Sequence, residues 1–177
     1  MYDRTRRRLH PTGNERPWGE EEIIVSMTDP KGHITYANEV FQRVAQMSER
    51  ELLGKPHNII RHPAMPRCVF KLMWDILHER HEIFAYVNNI AKSGDNYWVF
   101  AHIFPNLNAS GNTIGYTSFR RKPVAAKVAK INDIYATLLN EEAKHASPRD
   151  GINASCSALL QLLNDNGMNY DQFVFSI

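Results

Sequence analysis

The residues of this chain best suited to chemistry are binders rather than reactants. Arg61 and His62 stand side by side in a proline-rich stretch, Arg61-His62-Pro63-Ala64-Met65-Pro66. The fixed fork of a guanidinium suits a diphosphate or a carbonyl-rich ring edge, and an adjacent imidazole adds a donor. Each also has a plainer use: Arg61 in a loop salt bridge, His62 as a packed histidine capping backbone carbonyls. Asn38 and Asn89 each offer an amide that donates and accepts at once. Asn38 is equally placed to cap a helix. Asn89, beside Asn88 in an otherwise apolar alternation, is harder to explain as structure and points to a polar ligand on one side. Phe70, Trp74, Tyr97 and Trp98 are planar apolar groups that serve either a flat slot or ordinary core, Trp98 more naturally the core.

Reactive constellations are missing. His57, His62, Cys68, His78 and His81 fit no ligand spacing for a metal, and His78 with His81 at i, i+3 would be exposed on a helix. No Ser-His-Asp or Cys-His arrangement has a supporting context, and no phosphate loop occurs. The sequence is therefore read as non-enzymatic.

The elements that must position these residues belong to a chain of 177 residues, 43% hydrophobic and 23% charged. That length supports one domain with its own core and some extra chain. A net charge of +2 gives no bias toward nucleic acid or membrane. Arg4, Arg6, Arg7 and Arg8 read as a solvated basic tail or a contact for an acidic partner. The two cysteines, Cys68 and Cys156, agree with a reducing compartment. No apolar stretch follows the N-terminal arginines, and no apolar run approaches the roughly 20 residues needed to span a bilayer. The expectation is a cytoplasmic protein with no membrane insertion.

Residues 1–22 read as a flexible basic lead-in. Ile23–Thr28 and His33–Ala37 flank Asp29-Pro30-Lys31-Gly32, a turn in which proline fixes one dihedral and glycine supplies a positive φ, so a β-hairpin is predicted. From Asn38 the apolar spacing turns helical through Val40, Phe41, Val44 and Ala45. Ser48 and Glu51 form a capping box, and Gly54 ends that short helix. Arg67–His81 is a helix with Val69, Phe70, Met73, Trp74 and Leu77 on one face. Ile83–Ala91, Tyr97–Phe104 and Thr113–Arg121 are antiparallel strands, the first two joined at Lys92-Ser93-Gly94-Asp95. After Pro123, Val124–Ala143 is helical, Ser147–Gly151 breaks the helix, Ile152–Leu163 resumes it, and Tyr170–Ile177 is a short tail. The class is α+β: a five-stranded antiparallel sheet with short helices on one face over residues 23–123, and a C-terminal helical extension over 124–177.

This order resembles a PAS domain, and local motifs narrow the likeness. Thr28-Asp29-Pro30-Lys31-Gly32-His33-Ile34-Thr35-Tyr36-Ala37-Asn38 resembles the opening hairpin of that family. Glu51 to Pro66, ending in Arg61-His62-Pro63-Ala64-Met65-Pro66, is similar to the segment that marks the aerotaxis-receptor branch. Lys92-Ser93-Gly94-Asp95-Asn96-Tyr97-Trp98-Val99 and Gly115-Tyr116-Thr117-Ser118-Phe119-Arg120-Arg121 match two further strands. The likeness spans about Ile24 to Pro123.

The resemblance implies a sensor that binds FAD without a covalent bond and reports redox or oxygen status to a signalling partner such as a chemotaxis receptor, in some cases as a homodimer. It places Phe70 and Trp74 on the helix that lines the pocket, and with Asn38, Arg61, His62, Asn89 and Trp98 these make the expected cofactor contacts. Two positions depart from the pattern: Ala64 replaces an acid that contributes to cofactor binding in the family, and Ile83-Phe84 stands where a Trp followed by a small residue is common. Haem held by His78 or His81 is an alternative, as is a cofactor-free interaction module. Cys68 lies in Pro66-Arg67-Cys68-Val69, which does not match the motif of a light-driven flavin–cysteine adduct.

Overall fold

The computed structural model describes residues 9–177, so the Arg4–Arg8 cluster lies outside the described residues. Strands β1 (Ile24–Thr28) and β2 (Ile34–Ala37) form the opening hairpin. Helices α1 (Glu39–Ala45) and α2 (Glu49–Leu52), a 3₁₀ turn (His57–Ile60) and α3 (Arg67–His78) follow. Strands β3 (Ile83–Ile90), β4 (Asn96–Leu107) and β5 (Thr113–Arg121) complete the sheet, and α4 (Ala125–Ala143), α5 (Pro148–Asp165) and α6 (Tyr170–Ser176) close the chain. The sheet is antiparallel in the order β2-β1-β5-β4-β3. The α+β class and the five-stranded sheet are as expected.

Alternation along the strands sorts the sheet into two faces. Val87, Asn89, Ala101 and Ile103 point toward α3, where they meet Phe70, Met73, Trp74 and Leu77 around a cavity. Tyr86, Trp98 and Phe100 point the other way. That outer face is covered by the C-terminal helices: the Tyr135 hydroxyl on α4 donates to the Tyr86 carbonyl at 2.7 Å, Trp98 stacks on Tyr135, and Phe175 on α6 packs against Phe84 and Phe100. Helix α5 packs back onto both α4 and α3. The helical extension thus reaches from the outer face of the sheet to the helix layer over the cavity.

The connection from Gly54 to His62 ties both edges of the sheet. Gly54 N–H donates to Ile34 C=O at 2.8 Å, Ile34 N–H to Lys55 C=O at 2.9 Å, and His57 N–H to Gly32 C=O at 2.9 Å. At its other end Arg61 bridges Asn89 and His62 N–H donates to Asn88 C=O at 3.3 Å. One short segment therefore satisfies backbone groups on β2 and on β3.

Four expectations need correction. Residues 9–22 are not a free lead-in: Thr12 and Arg16 N–H donate to Gly94 and Asn96 C=O, Asn96 N–H donates to Asn14 C=O, and Trp18 is buried. The β3–β4 turn presents backbone groups at its edge, and the chain lies along them. Gly94, at φ +96°, leaves the room this needs, since a Cβ there would stand 2.2 Å from the His10 carbonyl oxygen. Pro148-Arg149-Asp150-Gly151 is not a break but the first turn of α5. Ser147 caps it by accepting from Asp150 N–H, and Pro148 occupies the position where a missing N–H costs nothing. The expected tail is helix α6, opened by the Asn169/Gln172 capping box. Helix α3 stops at His78, three residues early, because Arg80 turns left-handed.

Candidate functional site

The cavity between α3 and the inner sheet face holds about 300 Å³. That is at the small end for ligand sites, enough for a flat ring system. Phe70, Met73, Trp74 and Leu77 line it because they share one face of α3, three and four residues apart. The Trp74 ring lies edge-on to Tyr116, centroids 5.3 Å apart, and its far end faces Gly32, where a Cβ would stand 3.2 Å away. Lys31 and Asn58 stand exposed at the rim.

The polar lining is one-sided. Among the described residues its charged members are Lys31, Arg61 and Arg120, and no described residue contributes a carboxylate to the cavity lining. Arg61 extends over the Phe70 ring at 3.9 Å and donates from Nη2 to the Met65 carbonyl at 3.1 Å. Arg120 lies deep in the fold at 2% exposure. Its Nη2 donates to Ser26 Oγ, and its guanidinium covers the Phe41 ring at 4.6 Å. Its Nε and Nη1 have no hydrogen-bond partner among the described residues. A buried cation with two unpartnered donors is rare in a folded protein, and this one borders the cavity. Burial draws its pKa down to about 10, offset by Tyr97. Asn89, 4% exposed, likewise lines the cavity and has an unpartnered side-chain nitrogen.

Behind Arg120 the chain continues to His57. Ser26 Oγ lies 3.0 Å from His57 Nε2, and the His57 ring stacks on Phe41. Burial, and then the Arg120 charge, lower the His57 pKa to about 3. The imidazole is thus neutral, and its Nε2 shares a hydrogen bond with the hydroxyl whose oxygen accepts from Arg120.

Four of the seven expected contact residues meet at this cavity: Arg61, Phe70, Trp74 and Asn89. Three do not. The Asn38 Oδ1 accepts from Phe41 and Val25 N–H, both at 3.0 Å, and its Nδ2 donates to Ile23 C=O at 2.8 Å. Its amide is consumed as a helix cap and hairpin tie. His62 Nδ1 accepts from Ala64 N–H at 3.1 Å, and its pKa is lowered by burial, as befits a loop-packing group. Trp98 lies on the opposite face of the sheet, against Tyr135. Tyr97, weighed for the same slot, is fully buried and does not line the cavity. The haem candidates face elsewhere: His78 stacks on the other side of Trp74, and His81 is exposed beyond the helix.

Sequence reasoning passed over Arg120 and Ser26, and weighed His57 without placing it beside them. One signal existed for the first. Tyr116, Ser118 and Arg120 share a period of two on β5, so an arginine in phase with buried positions was legible as a buried cation.

Comparison with known proteins agrees with this architecture. A protein family described as "PAS fold" matches residues 34–120. The aerotaxis receptor of Escherichia coli (strain K12) is 35% identical over 131 residues, which are 73% of this chain and 26% of the receptor. The nitrogen fixation regulatory protein of Klebsiella pneumoniae is 30% identical over 102 residues, 58% of this chain and 21% of that protein. The chain thus spans about a quarter of the length of these relatives. Among solved structures, a light-oxygen-voltage domain studied with a flavin analogue superposes with a TM-score of 0.57 at 21% identity, covering 70% of this chain and 90% of that one. The PAS domain of a protein from Colwellia psychrerythraea gives 0.53 at 16% identity, covering 57% and 86%. Among the described residues no helix is long and apolar enough to cross a membrane. Motif, topology and cavity converge: this chain carries a PAS domain of the kind found in aerotaxis receptors.

Proposed function

We propose that the protein is a non-catalytic, cytoplasmic sensor that binds FAD in the α3–sheet cavity and passes redox status to a partner protein of the chemotaxis-receptor type. The observation that carries this reading is Arg120, buried with two unpartnered donors beside a cavity that no carboxylate of the described residues lines. A flavin ring edge is rich in carbonyl and imine acceptors, and the donors of Arg120 and Asn89 fit it. The aromatic walls at Phe70 and Trp74 suit its faces. Because about 300 Å³ accommodates a ring system and not a whole dinucleotide, Lys31 and Arg61 are assigned to the diphosphate at the rim.

A bound flavin supplies a reversible electron couple linked to proton uptake. The chain supplies the environment that responds to it. Arg120 favours added negative charge at the deep end of the cavity. Asn89 adjusts its amide to the donors and acceptors it meets. Ser26 and His57 hold the guanidinium from behind, so its position is fixed whichever state is bound. Ala64 does not contribute: its side chain is a methyl at an exposed loop position, and its N–H serves His62. Cationic Lys31 and Arg61 do not depend on that lost acid. A light-driven cysteine adduct is not part of this reading, since Cys68 lies outside the cavity lining and burial pushes its thiol up to about 11.

The test is the visible spectrum of freshly purified protein, with chromatography of what it releases. Flavin bands and released FAD support the sensor. A single intense Soret band replaces FAD by haem. A colourless protein that refuses added FAD leaves a cofactor-free interaction module.

A further inference from the structure

Helix α3 lacks a cap of its own. Its N-cap residue is Pro66, which has no side-chain acceptor, and no acidic residue stands in its first turn. The first N–H groups of a helix need a partner from elsewhere. Here it comes from the far end of the chain. Oε1 of Glu142, on the last turn of α4, accepts from Arg67 N–H at 2.6 Å and from Cys68 N–H at 3.1 Å. The Ser155 hydroxyl on α5 lies 3.2 Å from the same oxygen and shares its one proton between it and the Ile152 carbonyl at 3.1 Å. Ser155 is fully buried. One carboxylate oxygen therefore joins the N-terminus of α3 to both long helices of the extension.

The surroundings are shaped to hold it there. Gly151 lets α5 approach α4 so closely that a Cβ would stand 2.7 Å from the Glu142 carbonyl oxygen. A carboxylate at the positive end of a helix is favourable, and here it also satisfies two backbone N–H groups. Within the next turns α3 places Phe70, Met73, Trp74 and Leu77 into the cavity. Any shift of α3 that seats a ligand between Trp74 and the sheet must carry its N-terminus, and the N-terminus is tied to Glu142.

We propose that the α4–α5 hairpin is the output element of the sensor, and that the Glu142–Ser155 contact on α3 is the latch through which cavity occupancy sets its docking. The ligand in this argument rests on the flavin reading; the latch itself does not. Glu142 is a positioning residue, acting on the cavity through α3. Coupling between two sites is reciprocal, so loosening the latch weakens ligand binding and ligand binding alters the latch.

The chain carries its own reporter. Cys156 follows Ser155 on α5 and is half-buried, whereas Cys68 on α3 is buried. The rate at which a maleimide labels Cys156 reads how often α5 lifts from α3. In the full chain, E142Q and the milder S155A are expected to raise that rate, with the fold retained by circular dichroism. Titrated FAD is expected to lower the rate in the wild type by roughly fivefold or more and to leave E142Q unchanged, and E142Q is expected to bind FAD more weakly by the same factor. If no FAD binds, the flavin reading fails by itself, and the latch is judged by W74F, which alters the cavity wall: its effect on Cys156 labelling must be present in the wild-type background and absent with E142Q. Labelling that is insensitive to E142Q and S155A, or a cavity effect of equal size with and without Glu142, overturns the proposal.

Discussion

Replacing Arg120 with Met separates a ligand-binding arginine from a structural one. In the ligand-free protein two buried N–H groups are unpartnered, at a cost of about 1–3 kcal/mol each. Against that stand the Nη2 bond to Ser26, worth about 1.5–3 kcal/mol for a charged donor, and the Phe41 contact, worth about 0.5–2 kcal/mol. The two sides nearly cancel. Methionine fills similar length without charge, and Ser26 keeps His57 as a partner. The apoprotein of R120M is therefore expected to unfold in urea within about 2 kcal/mol of the wild type. FAD binding behaves differently. Losing two charge-assisted bonds of about 1.5–3 kcal/mol each weakens it on the order of a hundredfold to ten-thousandfold. Quenching of FAD fluorescence on titration measures the affinity. An R120M apoprotein destabilised by about 4 kcal/mol or more, with FAD affinity unchanged, would show that the guanidinium serves the core, and the argument from its unpartnered donors would be refuted.

Acid should destabilise the protein through His57. Its folded pKa lies near 3, below that of a free imidazole, so the unfolded chain binds the extra proton first. Stability is full above the free value and falls by up to about 1.4 kcal/mol per pH unit as pH drops below 6.5. H57Q is expected to flatten stability measured from pH 6.5 to 5, a window above most carboxylate titration; an unchanged slope assigns the loss to other groups, His62 first. W74A should lose flavin while costing only about 1–2 kcal/mol, less than a buried Trp, because Trp74 keeps some exposure; full flavin occupancy in W74A would misplace the cavity. G151A forces α4 and α5 apart and is expected to cost about 1–3 kcal/mol in urea unfolding, and an unchanged midpoint would mean the hairpin relaxes freely.

How far the sequence carries depends on whether a signal is local. The hairpin turn at Asp29–Gly32, the Ser48/Glu51 box and the apolar face of α3 are each written in a few neighbouring residues, and each appears where expected. Phe70 and Trp74 followed from helical spacing, and Asn89 from being polar in a buried strand. Trp98 was misplaced by phase alone: one residue along β4 from Val99, it turns to the other face. Asn38 had two uses on paper, and three hydrogen bonds within the hairpin and α1 decided between them. Arg120 and His57 are partners only through Ser26, from three distant parts of the chain, and no spacing encodes that meeting. The Glu142 cap spans 75 residues to Arg67 and is invisible to any local pattern.

The Gly54–His62 connection has a consequence for solubility. Exposed strand edges invite pairing with other chains, and an open five-stranded sheet has two of them. Here the segment that brings Arg61 to the cavity also occupies backbone groups on β2 and on β3. Damage to that segment uncovers both edges together. Variants that open it would announce themselves first as self-association, visible in light scattering, and a sensor that had lost its grip on a ligand could be mistaken for one that had simply aggregated.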